Sequence, residues 1–301
     1  MTQLSEHPTS DILQAIIKHF PDLAPIQSVE KCSGQNNLVL LINSQYVFRV
    51  PLHKDDQNNR KHEVALLNYL HSKISIPIPT PTWSSFESSP VFIGYPIIPG
   101  KPLTVDLMTQ LPILIQKKLA SQMANFLSEV HSVTDYPNHL DSPSMHDVKS
   151  NWNQLKYNII GELSAYMSAH IKHKVLYVLD IILKQFESPF TPTLIHGDFG
   201  PTNILYDPIH QSVSGIIDFS DLRLDDPTTD FAGFYSPKGY GKEYAQWVAQ
   251  AYSSDQSLLL RAQCYAATYP LQEAYLAKRN NQLAQMESAI NDFALYDLED
   301  K

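Results

Sequence analysis

The stretch Leu194-Ile195-His196-Gly197-Asp198-Phe199-Gly200-Pro201-Thr202-Asn203-Ile204-Leu205, followed downstream by Gly215-Ile216-Ile217-Asp218-Phe219, decides the fold. It reads as a short apolar strand at 193–195, a polar loop, and a strand pair at 203–206 and 215–219 across a polar turn. A lone His-Gly-Asp is commonly only a turn, because Gly and Asp both favour turns, and Asn203 alone could be an Asx turn. Here His196, Asp198, Asn203 and Asp218 recur in order with apolar strands on both sides, which a turn does not require.

The spacing suits phosphoryl transfer. That reaction needs a carboxylate beside the attacking hydroxyl to accept its proton, and hard oxygen ligands to hold Mg²⁺ against nucleotide phosphates. Asp198 is placed at a loop apex facing the substrate. Asn203 and Asp218 come from the two sides of a hairpin and are expected to bind the metal. His196, just after the strand, is expected to brace the loop through backbone hydrogen bonds. The same order of His-x-Asp, Asn and a later Asp marks the kinase catalytic loop and metal site.

Working outward, residues 11–20 predict a helix, with Ile12, Ile16, Ile17 and Phe20 at helical spacing and Ser10 or Asp11 as its cap. Strands are predicted at 26–32, 37–42 and 46–50, separated by Ser33-Gly34-Gln35-Asn36 and by Asn43-Ser44. A helix over 58–71 carries Val64, Leu66, Leu67 and Leu70, and a strand over 91–98 stops at Pro99-Gly100. Beyond Gly100 the pattern turns helical, with one helix over 114–131, one or two over 156–186, and mostly helix from Glu243 onward. The expected fold is therefore α+β and two-lobed: a strand-rich lobe at 1–98, a helical lobe at 99–301, and a ligand cleft at their seam.

Composition narrows the partners. The chain has 301 residues, 43% hydrophobic and 18% charged, which is ordinary for a globular protein. Cys32 and Cys264 lie far apart with no metal-like spacing, so a disulfide framework is not expected and a reducing compartment is the simple reading. No basic stretch followed by an apolar run opens the chain, and the longest apolar run, 91–98, is too short for a bilayer. A cytoplasmic monomer without membrane contact is expected. The net charge of −9 disfavours nucleic acid and is compatible with a cationic substrate, although acidity also simply keeps a protein soluble.

On these residues the chain resembles the aminoglycoside phosphotransferase family of protein-kinase-like small-molecule kinases. The carriers are His196-Gly197-Asp198-Phe199 in place of His-Arg-Asp, Ile217-Asp218-Phe219 followed by Ser220 rather than Gly, and Asp226-Pro227-Thr228-Thr229-Asp230-Phe231 downstream. The spacing and the strand from Tyr46 look most like the 2″-phosphotransferase branch. The resemblance implies transfer of the γ-phosphate of ATP or GTP, with Mg²⁺, to an aminoglycoside hydroxyl, giving antibiotic resistance. A macrolide or an amino alcohol is the alternative acceptor, and a catalytically weak nucleotide-binding module is the reading from a different class.

The family also implies a nucleotide site in the first lobe. Arg49 stands where a strand Lys would contact the phosphates, and Glu63 on the following helix is its partner. Ser33 and Gly34 belong to the phosphate-covering loop. Tyr95, Pro96 and Ile98 belong to the linker that meets the purine, Pro96 through its carbonyl alone because it has no N–H. The ammonium groups of an aminoglycoside call for carboxylates, and the candidates are Asp198, Asp221, Asp225, Glu243 and Glu273, with Tyr235, Tyr240 and Trp247 for sugar faces. Each acid is by default a solvated surface residue. Asp230 is expected to be structural, tying down its loop.

Overall fold

The structure is a computed structural model that describes residues 8–33, 37–52, 57–86, 89–135, 145–185, 192–236, 238–252 and 256–296. In chain order the first elements are α1 (Thr9–His19), β1 (Val29–Ser33), β2 (Asn37–Ile42), β3 (Tyr46–Pro51), α2 (Gln57–Leu70), β4 (Trp83–Ser85) and β5 (Phe92–Pro96). After them come β6 (Lys101–Pro102), α3 (Val105–Gln110), α4 (Ile113–His131), α5 (Met145–Leu163), α6 (Ala169–Gln185) and β7 (Thr193–Ile195). The last are β8 (Ile204–Asp207), β9 (Ser212–Ile216), β10 (Arg223–Asp225), α7 (Thr229–Tyr235), α8 (Lys242–Tyr252), α9 (Gln256–Arg279) and α10 (Leu283–Leu295).

The chain divides into two compact units. The first comprises Met1–Lys101, Asp135–Asn138 and Ile204–Asp221; the second comprises Pro102–Thr134, His139–Asn203 and Leu222–Lys301. This is the α+β, kinase-like plan of an antiparallel sheet unit and a helical unit.

In the first unit a five-stranded sheet runs in the order β1-β2-β3-β5-β4, antiparallel at every pairing. Alternation in Leu38, Leu40 and Ile42 sends one face of β2 into a core shared with Ile12, Ile16, Phe48 and Phe92. The opposite register of β3 sets Arg49 across from Val39 on one side and Ile93 on the other, and leaves the arginine 4% exposed. α1 begins two residues earlier than the sequence suggests: Pro8 is its N-cap and no side chain caps it. Ser10 donates its hydroxyl to Asp11 instead. The β8–β9 hairpin belongs to this unit, and Ile216 N–H donates to Pro77 O at 3.0 Å.

The second unit is built around α9. Tyr265, Ala266 and Leu271 of that helix are buried with Ile159, Leu163, Val178, Ile182 and Phe293, and Trp152 stacks on Tyr265 at 5.0 Å between ring centres. Pro270 lies inside α9. Lys174 reaches the C-terminal end of α10, donating to the carbonyls of Phe293, Ala294 and Tyr296, where a helix leaves its last acceptors unpaired. Short elements not expected from the sequence include β4, β10 and α3. Their span of three to six residues gives too little periodicity to read.

Candidate active site

The second unit holds the loop between β7 and Asn203. β7 pairs antiparallel with β10, with Ile195 opposite Arg223, and Leu194 and Ile195 are fully buried. The chain then turns out of the core through Gly197, whose φ of 84° lies in the left-handed region that glycine adopts at little cost. Asp198 emerges exposed at the apex. Asn203 donates its side-chain amide to Asp198 Oδ2 at 2.9 Å and to Asp198 O at 2.8 Å. One residue therefore orients the candidate base and ties its backbone.

The loop is anchored from beneath by Asp230, at the start of α7 and 0% exposed. Its Oδ2 accepts the His196 amide N–H at 2.8 Å, and its Oδ1 accepts the Gly197 N–H at 2.8 Å. His131, the last residue of α4, adds Nε2 at 3.0 Å from Oδ2, and its Nδ1 lies 2.9 Å from the Tyr252 hydroxyl. Burial alone would push the Asp230 carboxyl up. The hydrogen bond and charge of His131, the charge of His196 and the Gly197 N–H outweigh it and hold the group below the usual carboxylate range. His196 is itself fully buried, and its Nδ1 accepts the Asp198 N–H at 3.3 Å. α7 can lie this close because residue 233 is glycine: a Cβ there would stand 2.1 Å from Phe199 O.

The Asp-Pro-Thr-Thr-Asp run is equally pinned. Asp226 accepts the Tyr265 hydroxyl at 2.7 Å and the Thr228 N–H at 2.9 Å, while Arg261 donates to Thr228 Oγ1 at 2.8 Å.

The first unit holds the charged cluster around Arg49. Arg49 Nη1 donates to Glu63 Oε1 at 2.7 Å, and Nη2 donates to Asp218 Oδ1 at 2.8 Å and to Ser220 Oγ at 2.6 Å. The other oxygen of Glu63 accepts from Arg60 Nη1 at 2.5 Å, one turn earlier on α2. Arg60 and Glu63 are each 4% exposed, so a buried carboxylate is shared by two guanidinium groups. Burial pulls the Arg49 guanidinium down, but Glu63, Tyr95 and Asp218 more than offset this and hold it above its ordinary value. The Tyr95 phenol, buried beside Arg49, Glu63 and Asp218, is pushed up to about 12, chiefly by burial. Asp218 sits at φ 63°, a left-handed conformation that Asp tolerates better than most side chains.

Other expected nucleotide contacts lie in the linker. Pro96 is exposed and Ile98 half-buried, and Ile97 N–H donates to Gln45 O at 2.7 Å, tying the linker to the start of β3. Residues 96–99 line a hollow of about 390 Å³ with residues 74–78, His71, Thr80 and Ser214; it contains none of the charged motif residues. Ser33 ends β1, and Gly34 lies outside the described residues.

The expected acceptor residues are dispersed. Asp221 and Glu243 are exposed, and Trp247 is half-buried with Lys117 Nζ 5.2 Å from its ring centre. Glu273 is exposed and accepts from Gln285 at 3.1 Å. Asp225 is held by Arg223 and by the Asp226 N–H. Tyr240 donates to Leu103 O and stacks on Phe234, while Tyr235 packs against the helical core. Sequence reasoning missed Arg60, His131, Tyr252 and Ser220. Arg60 had a readable signal in its three-residue spacing from Glu63 on one helix face, and Ser220 in its place after Ile217-Asp218-Phe219.

Comparison with known proteins gives a family and a fold. A family model described as the phosphotransferase enzyme family matches residues 29–268. The GDP and kanamycin complex of APH(2")-IIIa superposes with a TM-score of 0.84 at 23% identity, covering 94% of this chain and 97% of that one. The gentamicin complex of APH(2")-IIa gives 0.77 at 21% identity, with 99% of each chain covered. The macrolide 2'-phosphotransferase MphH from Brachybacterium faecium gives 0.69 at 16% identity, covering 97% and 99%. At these identities the likeness is one of fold.

Proposed function

Because this chain belongs to the phosphotransferase enzyme family, we propose that it transfers the γ-phosphoryl group of ATP or GTP to a hydroxyl of an aminoglycoside, conferring resistance. The observation that carries this reading is Asp198: an exposed carboxylate, oriented by Asn203, on a loop whose backbone is clamped by the buried Asp230. Such a group accepts the proton of the attacking hydroxyl as its oxygen bonds to phosphorus and the nucleoside diphosphate leaves. The choice of an aminoglycoside, in the manner of the 2″-phosphotransferases, is supported by the solved complexes of similar fold and by the net charge of −9, which favours a cationic acceptor.

Arg49, held by Glu63, contacts the phosphates, and the linker at Pro96 and Ile98 meets the base. Asn203 and Asp218 are the residues that would hold Mg²⁺. They offer an amide oxygen and a carboxylate, and among the described residues no group of three or more His, Cys, Asp or Glu forms a metal site. That donor set fits an ion that keeps waters and takes its remaining oxygens from substrate phosphates. When bound, Mg²⁺ neutralises charge developing on those phosphates. Asp221, Glu243 and Trp247 are the accessible acceptor contacts. Among the described residues no helix is long and apolar enough to cross a membrane. The protein acts in the cytoplasm as a monomer, without nucleic acid.

The test is nucleotide consumption by purified protein with Mg²⁺, ATP or GTP, and a panel of kanamycin- and gentamicin-like acceptors, with products identified by mass spectrometry. Acceptor-dependent consumption is expected. Asp198→Ala should lower kcat about 10³-fold while leaving nucleotide affinity within about twofold. Turnover of a macrolide or amino alcohol alone would reassign the acceptor, and no consumption with any acceptor would leave a nucleotide-binding module.

A further inference from the structure

The loop after β9 runs Asp218-Phe219-Ser220, where the protein kinases carry Asp-Phe-Gly, and β3 carries Arg49 where they carry Lys. In the structure these two departures touch. Arg49 Nη2 donates to Ser220 Oγ at 2.6 Å and to Asp218 Oδ1 at 2.8 Å, while the Ser220 hydroxyl donates to the same Asp218 oxygen. The three groups close a ring in which every proton has a direction: guanidinium to hydroxyl, guanidinium to carboxylate, hydroxyl to carboxylate. A glycine at 220 would offer no hydroxyl. A lysine at 49 would bring one nitrogen in place of a fork, and could not hold Glu63 through one nitrogen while serving Asp218 and Ser220 through another.

Asp218 needs such restraint. Its side chain is 43% exposed and its backbone is in the left-handed region, so the hydrogen bonds from Arg49 and Ser220 are part of what fixes the carboxylate. We propose that Ser220 is a positioning residue for phosphoryl transfer: paired with Arg49, it holds the Asp218 carboxylate in one orientation before nucleotide and metal arrive. The serine and the arginine form a matched pair, each of use chiefly when the other is present. The inference rests on the kinase reading above, since it assigns Asp218 to the metal.

The experiment measures Mn²⁺ binding by electron paramagnetic resonance in the presence of ADP, for the wild type, Ser220→Ala, Ser220→Thr, Arg49→Lys and the Arg49→Lys/Ser220→Ala double variant. No acceptor is needed. Loss of one hydrogen bond to a charged group corresponds to roughly tenfold weaker Mn²⁺ binding in Ser220→Ala, and Ser220→Thr should stay within about twofold of wild type. In the lysine background, removal of the hydroxyl should change the affinity less than about twofold, which is the signature of coupling. In turnover, Ser220→Ala should raise the KM for metal more than it lowers kcat.

Unchanged Mn²⁺ affinity in Ser220→Ala, or an equal loss in both backgrounds, overturns the proposal while leaving the kinase reading intact. Absence of ADP and Mn²⁺ binding in the wild type overturns both. If Arg49→Lys does not fold by thermal melt, the contrast between alanine and threonine at 220 decides: equal losses sink the hydroxyl's role.

Discussion

His131 Nε2 stands 3.0 Å from Asp230 Oδ2, and neither side chain is more than 3% exposed. Through that carboxylate the imidazole at the end of α4 is connected to the backbone of the candidate catalytic loop, three hydrogen bonds from Asp198. The ring's other nitrogen meets Tyr252 of α8.

Breaking this line at His131 should be costly. His131→Ala leaves a buried carboxylate short of a partner, with an expected loss of about 2–3 kcal/mol in urea unfolding. Tyr252→Phe removes only the outer bond and should cost about 1 kcal/mol. In turnover both variants should lower kcat with little change in nucleotide KM, because the loop is disturbed and the phosphate contacts proposed for Arg49 are not. A fall in nucleotide affinity equal to the fall in kcat would contradict this role.

Asp230 governs the acid limb of stability. Its carboxyl is held below its unfolded value of 3.8, so its contribution is fully present above that value and disappears as pH falls through the lower folded one. Below about pH 4 the native protein should lose stability partly through this group. Asp230→Asn should lower stability at pH 7 and flatten the dependence below pH 4. Chemical unfolding followed at several pH values reads both effects; an unchanged acid limb would show that other carboxylates set it.

Glu63 is the shared counter-ion of Arg49 and Arg60, and all three side chains are almost fully buried. Glu63→Gln leaves two guanidinium groups facing a neutral amide and should destabilise by about 3–5 kcal/mol. Arg60→Met, which removes one of the two cations and keeps apolar volume, should cost distinctly less. Guanidinium chloride midpoints compare the two; equal costs would mean that Arg60 matters for charge as much as Glu63 does.

Gly233→Ala tests the close approach of α7. The added methyl would stand 2.1 Å from Phe199 O, so either the helix or the loop must shift. A cost of about 3 kcal/mol and a large drop in kcat are expected, with the drop visible even where the protein remains folded. Circular dichroism alongside single-turnover measurement separates the two.

What could be read from the sequence divides along a physical line. β2 was expected at 37–42 and is observed there, because its alternation has a single register that buries Leu38, Leu40 and Ile42. The helix over 114–131 was placed within one residue, since a long apolar stripe averages out local ambiguity. Asp198 and Asn203 were legible as motif residues because they lie five apart in one short stretch, although the hydrogen bond between them was not expected. α5 starts well before the expected 156, in a polar stretch whose helical face is revealed only by packing on α9. His131 and Tyr252 meet across 121 residues, and no local pattern marks either as the other's partner. The assignment of the 204–221 hairpin to the first unit is likewise invisible locally, because it is made by contacts such as Ile216 to Pro77.

The anchoring of residues 196–198 from the interior has an evolutionary consequence. Accuracy at the candidate base comes from backbone amides and a sealed carboxylate, none of which meets an incoming molecule. Residues such as Asp221 and Glu243 face solvent instead. Under the proposed function, the outer acids can therefore be revised one at a time, exchanging one acceptor for another, while the reaction centre stays in place and the protein continues to fold.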